Sequence, residues 1–450
     1  MRLFARFVVL FSALFFGTVP IALGQDRGPG LIRDAEIENI IRDYSTPIFN
    51  TAGLDASAVE INLVNDPRLN AFVAGGQRMF INTGLLMRAT KPEEVIGVIA
   101  HETGHIAGGH LARLQEELRN AETKSIIAMI LGTAAGLAAG DGRVAAGVIG
   151  GGTQAAFADL LKYSRTQESS ADAAALKYLD QTGTSSKGLL DFFEILQREV
   201  RVTGGREHPY MSSHPLTNDR IASVQAHLAL SRFANAPTPP DLARKHNYMR
   251  AKLIGFLEPI DNVLKVYPPS DTSGPARYAR SIAYYQRADL EKALPLVDGL
   301  IAEQPDNPYF YELKGQMLLE NGRVPESLAP YQRMAELAPS EPLLRMALAK
   351  AQVETGDPQY LESALSNLLA ASRSDPSLLE AWRLLTIVHG RLGNNGELAL
   401  SQAEFNLRTG DTKAAAALAK RATDLLPTGS PGWLRAQDIT GEAERRLKDK

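Results

Sequence analysis

His101-Glu102-Thr103-Gly104-His105 places two imidazoles and a carboxylate within five residues, a set able to hold a metal ion and move a proton beside it. Residues four apart on a helix differ by about 400° of rotation and ~6 Å of rise, so His101 and His105 project from one face. Neutral imidazole suits zinc, and a catalytic zinc site uses three protein ligands with one position left for water. Glu102, turned about 100° from His101, stands where a base could act on a water at such a site. The plain alternative is two unrelated histidines, an arrangement that 8 His in 450 residues seldom produce by chance.

A third ligand is needed. His110 lies nine residues after His101, about 900° along a continuous helix and therefore on the opposite face. The metzincin pattern breaks the helix at a glycine and sets its third histidine six residues after the second. Gly108 fits that glycine, but Leu111 stands where the histidine would be. His110 is therefore expected to support or pack rather than ligate. Glu168 is the better third ligand. Thr166-Gln167-Glu168-Ser169-Ser170-Ala171-Asp172 opens a helical run through Leu176, with Glu168 and Asp172 four apart on one face. Asp172 could accept the second N–H of a ligand histidine and so fix its tautomer. Taken alone, this acidic pair would read as a solvated face.

Several elements must position these groups. A helix from about Pro92 to Asn120 carries the histidine pair, with Pro92 in its first turn and Glu93 and Glu94 suiting its dipole. Val95, Ile96, Val98 and Ile99 make it a buried helix, as a rigid site requires. Upstream, Ile37, Ile40, Ile41 and Tyr44 predict an amphipathic helix over Asp34 to Phe49. Val59 to Leu63, Asn70 to Ala74 and Met79 to Ile81 read as strands of a small antiparallel sheet. Such a sheet is either plain scaffold or an edge on which an extended peptide could lie.

Ser125 to Ala139 and Val144 to Leu161 are apolar, Gly- and Ala-rich runs. Fifteen helical residues span about 22 Å against ~30 Å of bilayer hydrocarbon, which disfavours a membrane span. They read as a packed hairpin, with peripheral contact to a membrane as the alternative. Downstream, Pro305, Pro339 and Pro376 are 34 and 37 residues apart, and each is followed 17 residues later by Gly322, Gly356 or Gly393. That is the period and punctuation of tetratricopeptide repeats, helix pairs that stack into a solenoid with a concave binding face. Looser units begin at Pro275 and around Gly410-Asp411.

At 450 residues the chain has room for two or three domains. A net charge of −3 gives no electrostatic case for nucleic acid. The absence of cysteine excludes disulfides, thiolate ligands and cysteine catalysis. Arg2 and Arg6, the apolar run Phe7 to Phe16, and Ala22-Leu23-Gly24 before Gln25 resemble a cleavable export signal; the alternative is an uncleaved anchor over Phe7 to Gly24, which Gly17 and Pro20 disfavour. The expected organisation is a signal peptide at 1–24, a metallopeptidase domain at 25–240, a linker and connecting helix at 241–274, and repeats at 275–450.

These motifs together resemble the zinc peptidase family that includes the CAAX prenyl proteases. The resemblance rests on His101-Glu102-x-x-His105, Glu168-x-x-x-Asp172, Asn70-Ala71-Phe72 with Gly75-Gly76, Gly84-Leu85-Leu86, and Ser213-His214-Pro215 with Arg220-Ile221. An export signal and following repeats narrow it to the BepA-like periplasmic proteases of Gram-negative bacteria. The resemblance implies a mostly α fold, a zincin-type peptidase domain followed by an α-solenoid. It also implies a periplasmic zinc endopeptidase acting on misassembled outer-membrane proteins, with chaperone-like help and contact to the barrel-assembly machinery. Carried over by position, one Zn2+ is held by His101, His105 and Glu168, with Glu102 the base and Asp172 and Arg220 behind the ligands. His214 lies near the metal, either filling its fourth position and holding the enzyme idle or stabilising the developing oxyanion. The rival reading is a chaperone or adaptor that works through the repeats with a silent zinc site. Intramembrane cleavage of prenylated tails conflicts with the export signal and the lack of long apolar spans.

Overall fold

The computed structural model describes residues 30–110, 153–202 and 209–448. The export segment 1–24, the run Ser125 to Ala139 and the first part of the run Val144 to Leu161 lie outside them. Helix α1 (Ala35–Thr51) starts at Asp34, whose side chain accepts from the Ile37 N–H, and buries Ile37, Ile40, Ile41, Tyr44, Ile48 and Phe49. That spacing of three and four makes one continuous apolar stripe.

Four short strands follow in the spatial order β1-β2-β4-β3: β1 (Leu31–Ile32), β2 (Glu60–Val64), β3 (Ala71–Ala74) and β4 (Arg78–Asn82). The sheet is mixed, which corrects the antiparallel expectation. β3 and β4 form an antiparallel hairpin, but β2 pairs with β4 in parallel, Leu63 opposite Ile81. The chain reaches β3 from β2 by passing over the position that β4 then fills, so β2 and β4 run the same way. β1 adds antiparallel to β2 and was not foreseen, since two residues carry no alternation to read.

Helix α2 (Thr83–Arg88) leads into α3 (Pro92–Ala107), which is buried from Pro92 to His105. Glu94 accepts from the Lys91 and Thr90 N–H groups and so caps its first turn. Helix α4 (Thr153–Gln181) and α5 (Lys187–Val202) pack on α3, and short α6 (Pro209–Ser213) and α7 (Asn218–Leu230) close over them. Where α3 meets α4, a Cβ on Gly104 would stand 2.8 Å from the Ala171 carbonyl oxygen, so only glycine permits this approach.

Helix α8 (Pro240–Leu257) belongs to two cores. Met249 and Leu253 join the sheet-and-α3 core, whereas Tyr248, Ala251 and Ile254 pack with Tyr278, Ile282 and Phe310 further along the chain. After α9 (Ile260–Val266) come antiparallel helix pairs: α10 (Gly274–Tyr285) with α11 (Leu290–Glu303), α12 (Pro308–Glu320) with α13 (Val324–Leu337), and α14 (Pro342–Glu354) with α15 (Leu361–Ser374). α16 (Leu379–Leu392) with α17 (Asn395–Thr409) and α18 (Thr412–Leu425) with α19 (Pro431–Lys448) complete the array. Gly322, Gly356 and Gly393 turn between helices at φ 77°, 72° and 76°, the left-handed region where glycine costs least.

The start of α1 sits against this array. Arg33 pairs with Asp375 at 2.6 Å, and Tyr278 donates to Glu36 at 2.8 Å. Buried Lys252 lies 2.8 Å from Asp34, 3.3 Å from Glu36 and 3.5 Å from Glu312. Among the described residues, no helix is long and apolar enough to cross a membrane.

Candidate metal centre

His101 and His105 leave α3 on one face, and α4 brings Glu168 against them. His105 Nε2 lies 3.2 Å from His101 Nε2 and 3.2 Å from Glu168 Oε1, while His101 Nε2 lies 3.3 Å from Glu168 Oε2. His214, just beyond α6, closes the group with Nδ1 3.1 Å from Glu168 Oε1 and 3.4 Å from His101 Nε2. Ligand atoms of His101, His105, Glu168 and His214 all lie within 4.8 Å of one another, and all four residues are buried. Glu102 faces the same space, 3.4 Å from His214 Nε2.

Behind this group runs a second layer. His101 Nδ1 lies 2.8 Å from Asp172 Oδ1 and donates to it, which leaves the Nε2 lone pair facing the cluster. Arg220 on α7 grips Asp172 through Nε at 2.6 Å and Nη2 at 2.8 Å, and reaches Glu168 at 2.8 Å. Its guanidinium also donates to the Pro215 carbonyl and lies over the Phe193 ring, fixing the loop that carries His214.

The donors fit a divalent cation. Among the described residues, three buried carboxylates, Glu102, Glu168 and Asp172, share a single guanidinium, so with the histidines neutral as ligands the ionised cluster leaves two negative charges for a cation to balance. Neither carboxylate oxygen of buried Glu102 has a hydrogen-bond partner among the described residues, a costly state unless something in the site meets them. Three nitrogens and a carboxylate are zinc donors, whereas magnesium and calcium prefer all-oxygen shells.

Electrostatics point the same way. Burial alone would lower His101, but Asp172 and Glu168 outweigh it and push the imidazole up to about 9. Those carboxylates favour positive charge at this point, whether a proton or a metal ion carries it. Burial lowers His105 to about 4, which keeps it neutral and able to ligate. Glu168 is held well below the usual carboxylate range: burial opposes this, and His101, His105 and His214 overcome it. Asp172 sits at about 2, where hydrogen bonds from Arg220 and His101 win over burial. Burial pushes Glu102 up, the direction that makes a carboxylate a better proton acceptor near neutral pH.

Every residue singled out from sequence, namely His101, Glu102, His105, Glu168, Asp172, His214 and Arg220, is therefore brought into one buried cluster. His110 departs from the geometry expected of it. α3 does not continue through it: the helix ends at Ala107, and Gly109 turns the chain at φ 61°. His110 folds back so that its Nδ1 lies 3.0 Å from His105 Nδ1. Tyr210 stands in no motif read from the sequence, yet its ring packs on His214 with centroids 4.8 Å apart. The available signal was its position four residues before His214, one turn away in α6.

Comparison with known proteins gives this cluster a context. The model of peptidase family M48 matches residues 32–228, and a tetratricopeptide repeat model matches residues 278–342. The beta-barrel assembly-enhancing protease of Yersinia pestis is 24% identical over 432 residues, covering 93% of this chain and 86% of that protein. Its Escherichia coli K12 namesake is 22% identical over 416 residues, covering 89% and 81%. The metalloprotease YcaL of Escherichia coli K12 is 30% identical over 163 residues, 36% of this chain and 59% of that protein.

Proposed function

Since the chain pairs a peptidase family M48 domain with tetratricopeptide repeats and is a metalloprotease, we propose that it is a periplasmic zinc endopeptidase that hydrolyses misassembled outer-membrane proteins. The observation that carries this reading is the convergence of His101, His105 and Glu168 beside the buried carboxylate of Glu102. Those three side chains would hold the zinc, which supplies a Lewis acid for the scissile carbonyl and acidifies the attacking water.

Glu102 would take the proton from that water and return it to the leaving amine, since among the described residues neither of its oxygens accepts a hydrogen bond, and His214 Nε2 stands 3.4 Å away. Asp172 holds His101 in the ligating tautomer, and Arg220 fixes Asp172 and pairs with Glu168. His214 reaches the ligand cluster through its own ring nitrogens, which favours its role as a fourth ligand that keeps the resting enzyme idle. Its loop then has to swing away before substrate enters. Among the described residues β3 is an edge strand, next to α3, and that edge suits an extended peptide adding as a strand.

The substrate class is supported by the relatives that align along most of both chains, whose names state enhancement of β-barrel assembly. The repeats would capture the unfolded client or the barrel-assembly machinery, and this accounts for chaperone-like activity without cleavage. The domain limits 25–240 and 275–450, the export signal at 1–24 and peripheral membrane contact belong to the same proposal. Glu102→Gln is expected to abolish cleavage of an unfolded test protein such as casein while retaining one zinc per chain. Cleavage by that variant at the wild-type rate removes Glu102 from the mechanism.

A further inference from the structure

His105 has a partner of its own on the edge of the ring that faces away from the ligand cluster. His110 is 5% exposed, its Nδ1 is 3.0 Å from His105 Nδ1, and the two rings stand nearly perpendicular at 81°. The geometry points to His110 as a positioning residue that accepts the proton of His105 Nδ1 and thereby fixes the tautomer whose Nε2 lone pair faces the metal. This inference rests on the metal-centre reading above.

Two ring nitrogens at this separation share one hydrogen, so one donates and the other accepts. His105 Nε2 is the nitrogen within 3.2 Å of His101 Nε2 and Glu168 Oε1. For that atom to offer its lone pair to a cation, the ring hydrogen must sit on Nδ1. His110 Nδ1 is then the acceptor, and its own hydrogen lies on Nε2. His101 meets the same requirement through Asp172. The two ligand histidines are thus oriented by different chemistries, a carboxylate behind one and a neutral imidazole behind the other. The second adds no negative charge to a cluster already rich in it.

The turn after α3 is shaped for this contact. Gly109 reverses the chain at φ 61°, and a Cβ on Gly108 would lie 2.6 Å from His110 Nε2 and 2.9 Å from the Gly104 carbonyl oxygen. Gly108 itself has φ −72°, a backbone any residue adopts. Its glycine is required for the room it leaves the His110 ring, not for backbone freedom.

Zinc affinity of the purified full-length chain, measured by competition with a chromogenic chelator, tests this. His110→Phe keeps the ring but removes the acceptor, and is expected to bind zinc about 10–100-fold more weakly. His110→Asn puts an amide oxygen where Nδ1 stood and is expected to restore affinity to within a few-fold of wild type. Gly108→Ala retains His110 but displaces its ring, and is expected to weaken zinc as His110→Phe does. Wild-type affinity in His110→Phe overturns the inference, and so does His110→Asn binding as weakly as His110→Phe. Should His110→Phe fail to fold, wild-type affinity in Gly108→Ala overturns it instead. A wild-type chain that binds no zinc brings down the metal-centre reading itself, a result distinct from a zinc-binding wild type with unaffected variants.

Discussion

Gly104→Ala adds one methyl group between the helix that carries the two ligand histidines and the helix that supplies the third ligand. Its Cβ would stand 2.8 Å from the Ala171 carbonyl oxygen and 2.9 Å from the Ala171 Cα, backbone atoms that cannot rotate aside. Restoring an ordinary contact of ~3.5 Å requires about 0.7 Å of separation between α3 and α4. Metal sites hold their ligand distances to about 0.2 Å, so the shift is several times what the centre tolerates. Glu168 and Asp172 flank Ala171 on α4 and move with it, away from His101 and His105. Overpacking of this kind costs about 1–3 kcal/mol, more than the roughly 1 kcal/mol that alanine gains over glycine inside a helix. The variant should therefore melt below wild type and bind zinc at least about tenfold more weakly, the lower end of the loss seen when ligand support is disturbed. Chelator competition gives the affinity, and thermal unfolding with and without EDTA separates lost metal from lost packing. Wild-type zinc affinity together with a raised melting temperature would mean that helix propensity outweighs the contact, and would refute a packing limit at Gly104.

Two further outcomes follow from buried charge. Arg220→Leu leaves Asp172 and Glu168 buried without their guanidinium, and should cost about 3–5 kcal/mol in chemical denaturation; an unchanged midpoint would show that the pair contributes nothing to stability. His246 on α8 accepts from the Tyr44 hydroxyl at 3.0 Å and donates to the Ala89 carbonyl at 3.0 Å, and burial lowers it from 6.5 to about 4. The unfolded chain therefore binds a proton here that the folded chain refuses, so stability falls as pH drops from 6.5 towards 4 and is flat above. Linkage sets the ceiling at about 3 kcal/mol. His246→Gln should flatten that part of the pH–stability curve, and an identical slope in both proteins would assign the acid sensitivity elsewhere.

The histidine pair was legible in sequence because helical geometry fixes which residues share a face, and the apolar run around it left no doubt about the helix. The link to Glu168 came from the same rule applied to a second helix, since Glu168 and Asp172 are one turn apart. The repeats declared themselves through the spacing of Pro305 and Pro339 and the glycines that follow. What failed were features set by tertiary contact. The parallel pairing of β2 with β4 leaves no mark in either strand's alternation, and β1 is too short to show any. The turn after Ala107 was written in Gly108-Gly109, but treating α3 as continuous to Asn120 sent His110 to the wrong side.

The joint between the two halves determines which experiments can tell an enzyme from an adaptor. α8 presents Met249 and Leu253 to the peptidase core and Tyr248, Ala251 and Ile254 to the repeat core. Deleting residues 275–450 would bare the second face and remove Glu312 from the buried Lys252 cluster. At roughly 25 cal/mol per Å2 of apolar surface, exposing such side chains costs a kilocalorie or more apiece. Loss of partner capture or of cleavage after that deletion would then follow from damage to α8 under either reading. Glu102→Gln leaves both faces of α8 and the Lys252 cluster untouched. Retained capture with abolished cleavage in that variant separates binding from chemistry; retained cleavage would take Glu102 out of the chemistry.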